Sequence, residues 1–374
     1  MTEPTPIPLV DLGAQRDQIQ DEVAAGWEQV LARTAFINGP AVGAFEQEYA
    51  QFLGAGHVIG VGNGTDAIEL ALRALGVGQG DEAIIPANTF IATAEAVART
   101  GATPVLVDCT PDTALMDPDK VAAAITDRTK VVVPVHLYGQ SAEVEKIRAA
   151  IESVRPEGLP ILEDAAQSQG ATRNGVACGV LGDIAATSFY PGKNLGAYGD
   201  AGAVITDSAD LAARVRLIRD HGSPRKYEHT VLGFNSRLDT LQAVVLSAKL
   251  KRLAGWNAAR RVAAERYTTL LKGVERVVTP TVAAGNEHVW HLYVVRVPNR
   301  DEVLAKLHEA KIGAGIHYPV PVHLTEAFGG LGEGRGSFPV AEQLADEILS
   351  LPIYAEITEE QQQRVVDVLT AAVS

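Results

Sequence analysis

Along residues 57–207, short apolar runs alternate with stretches of helical period. HVIGVG (57–62) reads as a strand. TDAIELALRALG (65–76) repeats apolar residues three and four apart, which predicts a helix. EAIIPA (82–87) is again a strand and FIATAEAVART (90–100) a helix. TPVLVD (103–108), KVVVPV (130–135) and LPILED (159–164) continue the strands, with a helix predicted over AEVEKIRAAIESV (142–154). IAATSF (184–189) and GAVITD (202–207) add two more strands. This alternation implies an α/β fold: a mainly parallel central sheet flanked by helices, with ligands bound at the carboxyl ends of its strands.

The pattern changes beyond a charged loop at 220–236. LDTLQAVVLSAKLKRL (238–253) and AARRVAAERYTTLLKG (258–273) predict two successive helices. HVWHLYVVRV (288–297) predicts a strand. Helices are predicted over RDEVLAKLHEA (300–310), AEQLADEILSLP (341–352) and TEEQQQRVVDVLTAAV (358–373). The change places a boundary near residue 250. A large domain covers 1–250, including an amphipathic helical segment at about 15–34, and a smaller α+β C-terminal domain covers 251–374.

Composition narrows the function classes. A net charge of −14 argues against a nucleic-acid partner, which demands a basic face. It leaves room for an anionic small molecule held by a local cationic loop. Cys109 and Cys178 have neither metal-ligand spacing nor a disulfide framework, and no metal is expected. No apolar run approaches a membrane span, and MTEPTPIPLVDL lacks the pattern of a signal peptide, so a cytoplasmic protein is expected.

Four local features could carry chemistry. In SFYPGKNLGAYGD (188–200), Lys193 lies in a loop with Gly192, Gly196 and Gly199. A surface lysine in a glycine turn is the ordinary alternative. A phosphate-binding P-loop fails, because Thr187 and Asn194 replace the required Gly and Ser or Thr. The chemical reading is a lysine whose amine forms a Schiff base with an aldehyde. In ILEDAAQSQG (161–170), Asp164 ends an apolar strand, either as a cap or as the carboxylate that keeps a pyridine nitrogen of pyridoxal phosphate protonated. Gln167 could then bond the ring hydroxyl. In GVGNGTDAIELAL (60–72), Gly64, Thr65 and Asp66 open a helix whose free N–H groups suit a phosphate, or simply form a turn. Ser188 could donate to the same phosphate. Phe90 is either a core residue or a ring that stacks on the pyridine.

Taken together, the chain resembles the DegT/StrS-type nucleotide-sugar aminotransferases, a branch of the fold-type I pyridoxal-phosphate enzymes. The resemblance rests on GNGTDAIELALRALGVGQGDE, TGATPVLVD, VPVHLYG, EDAAQSQGA, SFYPGKNLGAYGDAGAV, NSRLDTLQA and HYPVPVHL. It implies Lys193 as the Schiff-base residue, Asp164 paired with the pyridinium, and Gln167 at the ring oxygen. Gly64, Thr65 and Ser188 would hold phosphate. Asn235 would reach the phosphate site of the neighbouring subunit in a homodimer with shared active sites.

FYPGKNLG with HYPVPVHL most resembles enzymes that aminate C3 of dTDP-linked 3-keto-6-deoxyhexoses. The resemblance further implies L-glutamate as amino donor and pyridoxamine 5'-phosphate as the intermediate form of the cofactor. His317, Tyr318 and Tyr227 are then substrate-side candidates. Arg225 and Lys226 in RDHGSPRKYEH (219–229) could meet the nucleotide diphosphate, or form a solvated charged loop. The alternatives are amination at C4 or of a UDP- or GDP-linked keto-sugar, and, from another class, a pyridoxal-phosphate-binding regulatory protein.

Overall fold

The computed structural model describes residues 5–374. Seven strands form the central sheet: β1 (His57–Val61), β2 (Glu82–Pro86), β3 (Thr103–Val107), β4 (Thr129–Val132), β5 (Leu162–Asp164), β6 (Ile184–Ser188) and β7 (Gly202–Thr206). Their spatial order is β3-β2-β4-β5-β6-β7-β1, with β4 and β5 joined by the parallel bridges Val132–Ile161 and Val135–Asp164. β2 pairs in parallel with β3 and β4, and β5 with β6. Only β7 runs against its neighbours, β6 and β1. Every residue of β2 and β7 is buried, as expected where helices cover both faces.

The helices Gly64–Ala74, Ile91–Thr100 and Val144–Val154 follow strands as the pattern predicts, and Ala209–Arg219 adds a helix after β7 that the sequence reading did not include. Four predicted elements differ from the sequence expectation. The two helices expected across 238–273 are one, Thr240–Leu270. Gly255 does not break it, because Trp256 and Asn257 beside it are buried and anchored to Gln18 and to the Gln169 carbonyl. This helix carries Leu246 and Leu253 in the core around Phe189, and Ala264 and Tyr267 in the C-terminal core. Residue 250 therefore lies inside a helix shared by both cores.

The predicted helix over 341–352 covers Pro339–Glu347 and then becomes a strand, β9 (Ile348–Leu351), which pairs antiparallel with β8 (Tyr293–Arg296). All four β9 residues are buried, so no polar face remains for a helix to turn outward. β8 is also shorter than 288–297, because Trp290 takes a left-handed φ of 49°. Near the N-terminus the amphipathic segment forms two helices, Leu12–Asp17 and Gln20–Arg33, divided where Ile19 turns inward.

The C-terminal core combines β8 and β9 with helices Arg300–Glu309 and Glu359–Val373, and Ile7 from the other end of the chain joins it. Among the described residues, no helix is long and apolar enough to cross a membrane.

Candidate active site

Asp164 closes β5 at its carboxyl end. The backbone is pinned on both sides: its N–H donates to the Pro134 carbonyl at 2.9 Å, and its carbonyl accepts from the His136 N–H at 3.0 Å. The side chain is buried. Thr93 Oγ1 donates to Oδ2 at 2.8 Å and the Ala166 N–H to Oδ1 at 3.2 Å. Burial raises the carboxyl pKa, while these donors and the charge of Lys193 pull it back.

Lys193 faces this carboxylate from the loop between β6 and β7. Its own N–H closes a turn on the Tyr190 carbonyl at 2.9 Å. Desolvation lowers its amine to about 8, and the Asp164 charge opposes that shift. Of the three loop glycines, Gly196 is the one the backbone demands: a β-carbon there would collide with the Pro191 carbonyl. Gly192 meets only the edge of the Tyr190 ring at 3.6 Å, and Gly199 only the end of Gln242 at 3.2 Å.

A second wall lies where the helix Gly64–Ala74 begins. Asn63 caps it, accepting the Asp66 N–H at 2.8 Å. That occupies the Asp66 amide, and its carboxylate lies 3.6 Å from Arg99. The Asp66 amide is thus turned to the cap and its carboxylate toward Arg99, which gives Asp66 a structural part at this helix end. The first-turn amides of Gly64 and Thr65 have no intrahelical acceptor. A β-carbon on Gly64 would stand 2.5 Å from Ser188 Cβ and 3.0 Å from its Oγ. One on Gly202 would stand 2.5 Å from the Asn63 carbonyl oxygen. The glycines thus keep open a cradle bounded by free amides and the Ser188 hydroxyl, a donor set that suits a phosphate dianion.

Gln167, Tyr138 and Tyr318 form the third side. Gln167 Oε1 accepts the Tyr138 N–H at 2.6 Å and its Nε2 donates to the Tyr318 hydroxyl at 3.0 Å. One Nε2 hydrogen stays available for a ring oxygen. Phe90 is half-exposed at the start of the helix Ile91–Thr100, its ring centroid 5.1 Å from that of Tyr318, so it belongs to the site wall and not to the core. The carbonyl of His317 accepts from the Tyr138 hydroxyl at 2.6 Å. Its Nδ1 lies 2.8 Å from Ser350 Oγ. Burial and the Lys193 charge lower the His317 imidazole to about 4, so it is neutral at pH 7.

Amine, strand-end carboxylate, phosphate cradle and aromatic wall fit pyridoxal phosphate. Arg225, Lys226 and Tyr227 are not brought to this cleft within one chain. Their loop projects into solvent, with Tyr227 85% exposed and the Lys226 ammonium 5.1 Å from its ring centroid. Asn235 bridges Asp220, while its neighbour Ser236 accepts the Gly62 N–H at 3.1 Å behind the cradle.

Sequence reasoning passed over several residues. Thr93 looks like any helix threonine until the fold sets it on Asp164. His136 and Glu163 form a fully buried pair at 2.7 Å, and Glu163 also accepts the N–H groups of Gly179, Leu181 and Gly182. Asn194, Asn257 and His291 form a chain of hydrogen bonds next to Lys193. The lone histidine within the otherwise apolar and aromatic VWHLYVV (289–295) was the one signal for His291.

The model of the DegT/DnrJ/EryC1/StrS aminotransferase family matches residues 17–370. A protein of Geobacillus stearothermophilus named "Pleiotropic regulatory protein" is 48% identical over 96% of this chain and 97% of its own. The dTDP-3-amino-3,4,6-trideoxy-alpha-D-glucose transaminase of Streptomyces venezuelae is 44% identical over 96% and 94%. The UDP-N-acetyl-3-dehydro-alpha-D-glucosamine 3-aminotransferase of Acidithiobacillus ferrooxidans is 45% identical over 99% and 98%. The crystal structure of S. venezuelae DesV in complex with a ketimine intermediate superposes with a TM-score of 0.95, at 43% identity and 98% coverage of both chains. The chain belongs to the DegT/DnrJ/EryC1/StrS aminotransferase family and is a pyridoxal-phosphate-dependent aminotransferase.

Proposed function

We propose that this protein moves an amino group from L-glutamate to the C3 carbonyl of a dTDP-linked 3-keto-6-deoxyhexose. The observation that carries the reading is the buried Asp164 at the end of β5, held by Thr93 and the Ala166 amide, with the buried Lys193 near enough for the two charges to act on each other, in a fold that matches DesV over 98% of both chains. Transaminases that act on C3-amino dTDP-sugars are among its relatives.

When bound, pyridoxal phosphate supplies an electron-withdrawing ring that spreads the negative charge left as a proton departs from the neighbouring carbon. Lys193 would hold the cofactor through its amine, and as the free amine would be the base that takes this proton and later returns it. Its lowered pKa keeps an appreciable share of the amine uncharged near neutrality. Asp164, whose charged form Thr93 and the Ala166 amide favour against the effect of burial, would pair with the ring nitrogen and favour its protonated form. Gly64, Thr65 and Ser188 would hold the phosphate, Gln167 would bond the ring oxygen, and Phe90 would stack on the ring.

His317 and Tyr318 line the substrate side. In a homodimer, Arg225, Lys226, Tyr227 and Asn235 serve the partner's cleft. Their loop would there find the anionic nucleotide that its exposed charges lack in the single chain.

The test is a panel of dTDP-, UDP- and GDP-linked keto-sugars with L-glutamate, the position of the new amine read by NMR. C3 amination of the dTDP substrate, abolished in Lys193→Ala, is the expected result. A product aminated at C4, or preference for a UDP-sugar, replaces the substrate assignment. Failure to convert glutamate to 2-oxoglutarate with any of them would favour a cofactor-binding regulator.

A further inference from the structure

Tyr138 holds a backbone conformation that L-residues avoid, with φ at 62°. Gly139 follows at φ 112°, and a β-carbon there would stand 2.7 Å from the His291 backbone nitrogen. The Gly139 carbonyl also accepts the Val289 N–H at 2.9 Å, so the turn is wedged against the segment 289–292. Within it, every polar group of Tyr138 is engaged. Its N–H donates to Gln167 Oε1 at 2.6 Å, and its carbonyl accepts the Leu292 N–H at 3.1 Å. The side chain is buried, and its hydroxyl donates to the His317 carbonyl at 2.6 Å.

These bonds settle the direction of another. A backbone N–H only donates, so the Gln167 amide must turn its oxygen to Tyr138 and its NH2 away. Nε2 therefore donates to the Tyr318 hydroxyl, 3.0 Å off, and that hydroxyl is the acceptor of the bond. Tyr318 keeps its own hydrogen, which no other group accepts among the described residues. A reversed amide would set NH2 against the Tyr138 N–H and let the Gln167 oxygen take the Tyr318 hydrogen. The two ends of Tyr138 thus reach one stretch of chain by separate routes. The hydroxyl holds His317 directly, across 179 residues of sequence, and the N–H holds Tyr318 through Gln167. His317 is tied once more, its Nδ1 lying 2.8 Å from Ser350 Oγ.

We propose that Tyr138 is a positioning residue for the cleft: its backbone orients the Gln167 amide and its hydroxyl pins the His317–Tyr318 segment, so that the hydrogens of Gln167 and Tyr318 are set in place before a ligand enters. Groups ordered in advance lose less freedom when the ligand binds. The inference rests on the reading of this cleft as the cofactor and substrate site given above.

Tyr138→Phe keeps the turn and removes only the hydroxyl. The first measurement is nitration of Tyr318 by tetranitromethane in the full-length protein without any sugar, quantified by peptide mass spectrometry. The rate at Tyr318 should rise about fivefold or more in the variant, as expected for the loss of one buried hydrogen bond. Tyr293, buried in the C-terminal core, should react as in the parent. The second is steady-state kinetics with the keto-sugar that the panel identifies. Tyr138→Phe should raise KM more than it lowers kcat, and the double variant with Tyr318→Phe should match Tyr318→Phe alone, because Tyr138 acts through that segment. A Tyr318 nitration rate equal to the parent's, a parallel rise at Tyr293, or losses that simply add in the double variant overturns the proposal. The nitration needs no amino acceptor, so its failure is distinct from a failed sugar panel.

Discussion

Gly64 and Ser188 lie so close, across the gap between a helix start and a strand end, that a β-carbon on the glycine would stand 2.5 Å from that of the serine. Gly64→Ala therefore forces the two elements apart where the amides and the hydroxyl converge. We expect pyridoxal phosphate affinity to fall about tenfold or more, with about 1–3 kcal/mol of lost stability from overpacking. Fluorescence titration of the cofactor and urea unfolding of the cofactor-free variant measure the two effects. Unchanged affinity would place the phosphate elsewhere.

Thr93 holds the carboxylate of Asp164 through a single hydroxyl. Thr93→Val keeps the shape and removes the donor, leaving Asp164 to the raising effect of burial alone with the Ala166 amide and the lysine charge against it. A hydrogen bond to a charged group is worth about 1.5–3 kcal/mol, so cofactor binding should weaken by about tenfold or more at pH 7. The loss should deepen toward lower pH, where the carboxyl takes up a proton more readily than in the parent. Titrations at several pH values check both points.

Lys193 attacks an aldehyde only as the uncharged amine. With its pKa lowered to about 8, the competent fraction grows as pH rises and saturates above that value. The rate of covalent cofactor capture by the cofactor-free chain should rise about tenfold per pH unit below 7 and level off above about 8. Stopped-flow absorbance gives the profile. A rate still climbing steeply beyond pH 9 would mean that burial does not lower the amine.

Lys249 presents a different case of a buried amine. It is 1% exposed within the helix Thr240–Leu270, no ion pair with it is found among the described residues, and its ammonium lies 5.1 Å from the Tyr198 ring centroid. Desolvation lowers it to about 8. The unfolded chain, with an ordinary lysine, binds more protons between that value and about 10.4, so this residue makes stability rise with pH across that window. Its penalty is fully present below about pH 8. Lys249→Met should stabilise by about 1–2 kcal/mol at pH 7, after allowing for the lost ring contact, and by almost nothing near pH 10.4. Urea unfolding at the two pH values decides it.

The chain's own order of residues determined the layered α/β architecture, because apolar period and strand–helix alternation are local properties that burial on both sheet faces rewards directly. It likewise marked Lys193, Asp164, Gln167 and the Gly64 turn, whose motifs lie within single loops. What lay outside local pattern was decided by tertiary contact. The helix Thr240–Leu270 runs through Gly255 because distant Gln18 and Gln169 hold its flanking residues. Ile348–Leu351 is a strand because Tyr293–Arg296 lies beside it. The Asp66 amide is taken by Asn63 and its carboxylate lies near Arg99, neither of which the motif specifies. Thr93 meets Asp164, and His291 meets Asn194, across 71 and 97 residues of chain. A side chain's chemistry is written in its own residue, but its protonation state and its target depend on neighbours that only folding brings within hydrogen-bond range.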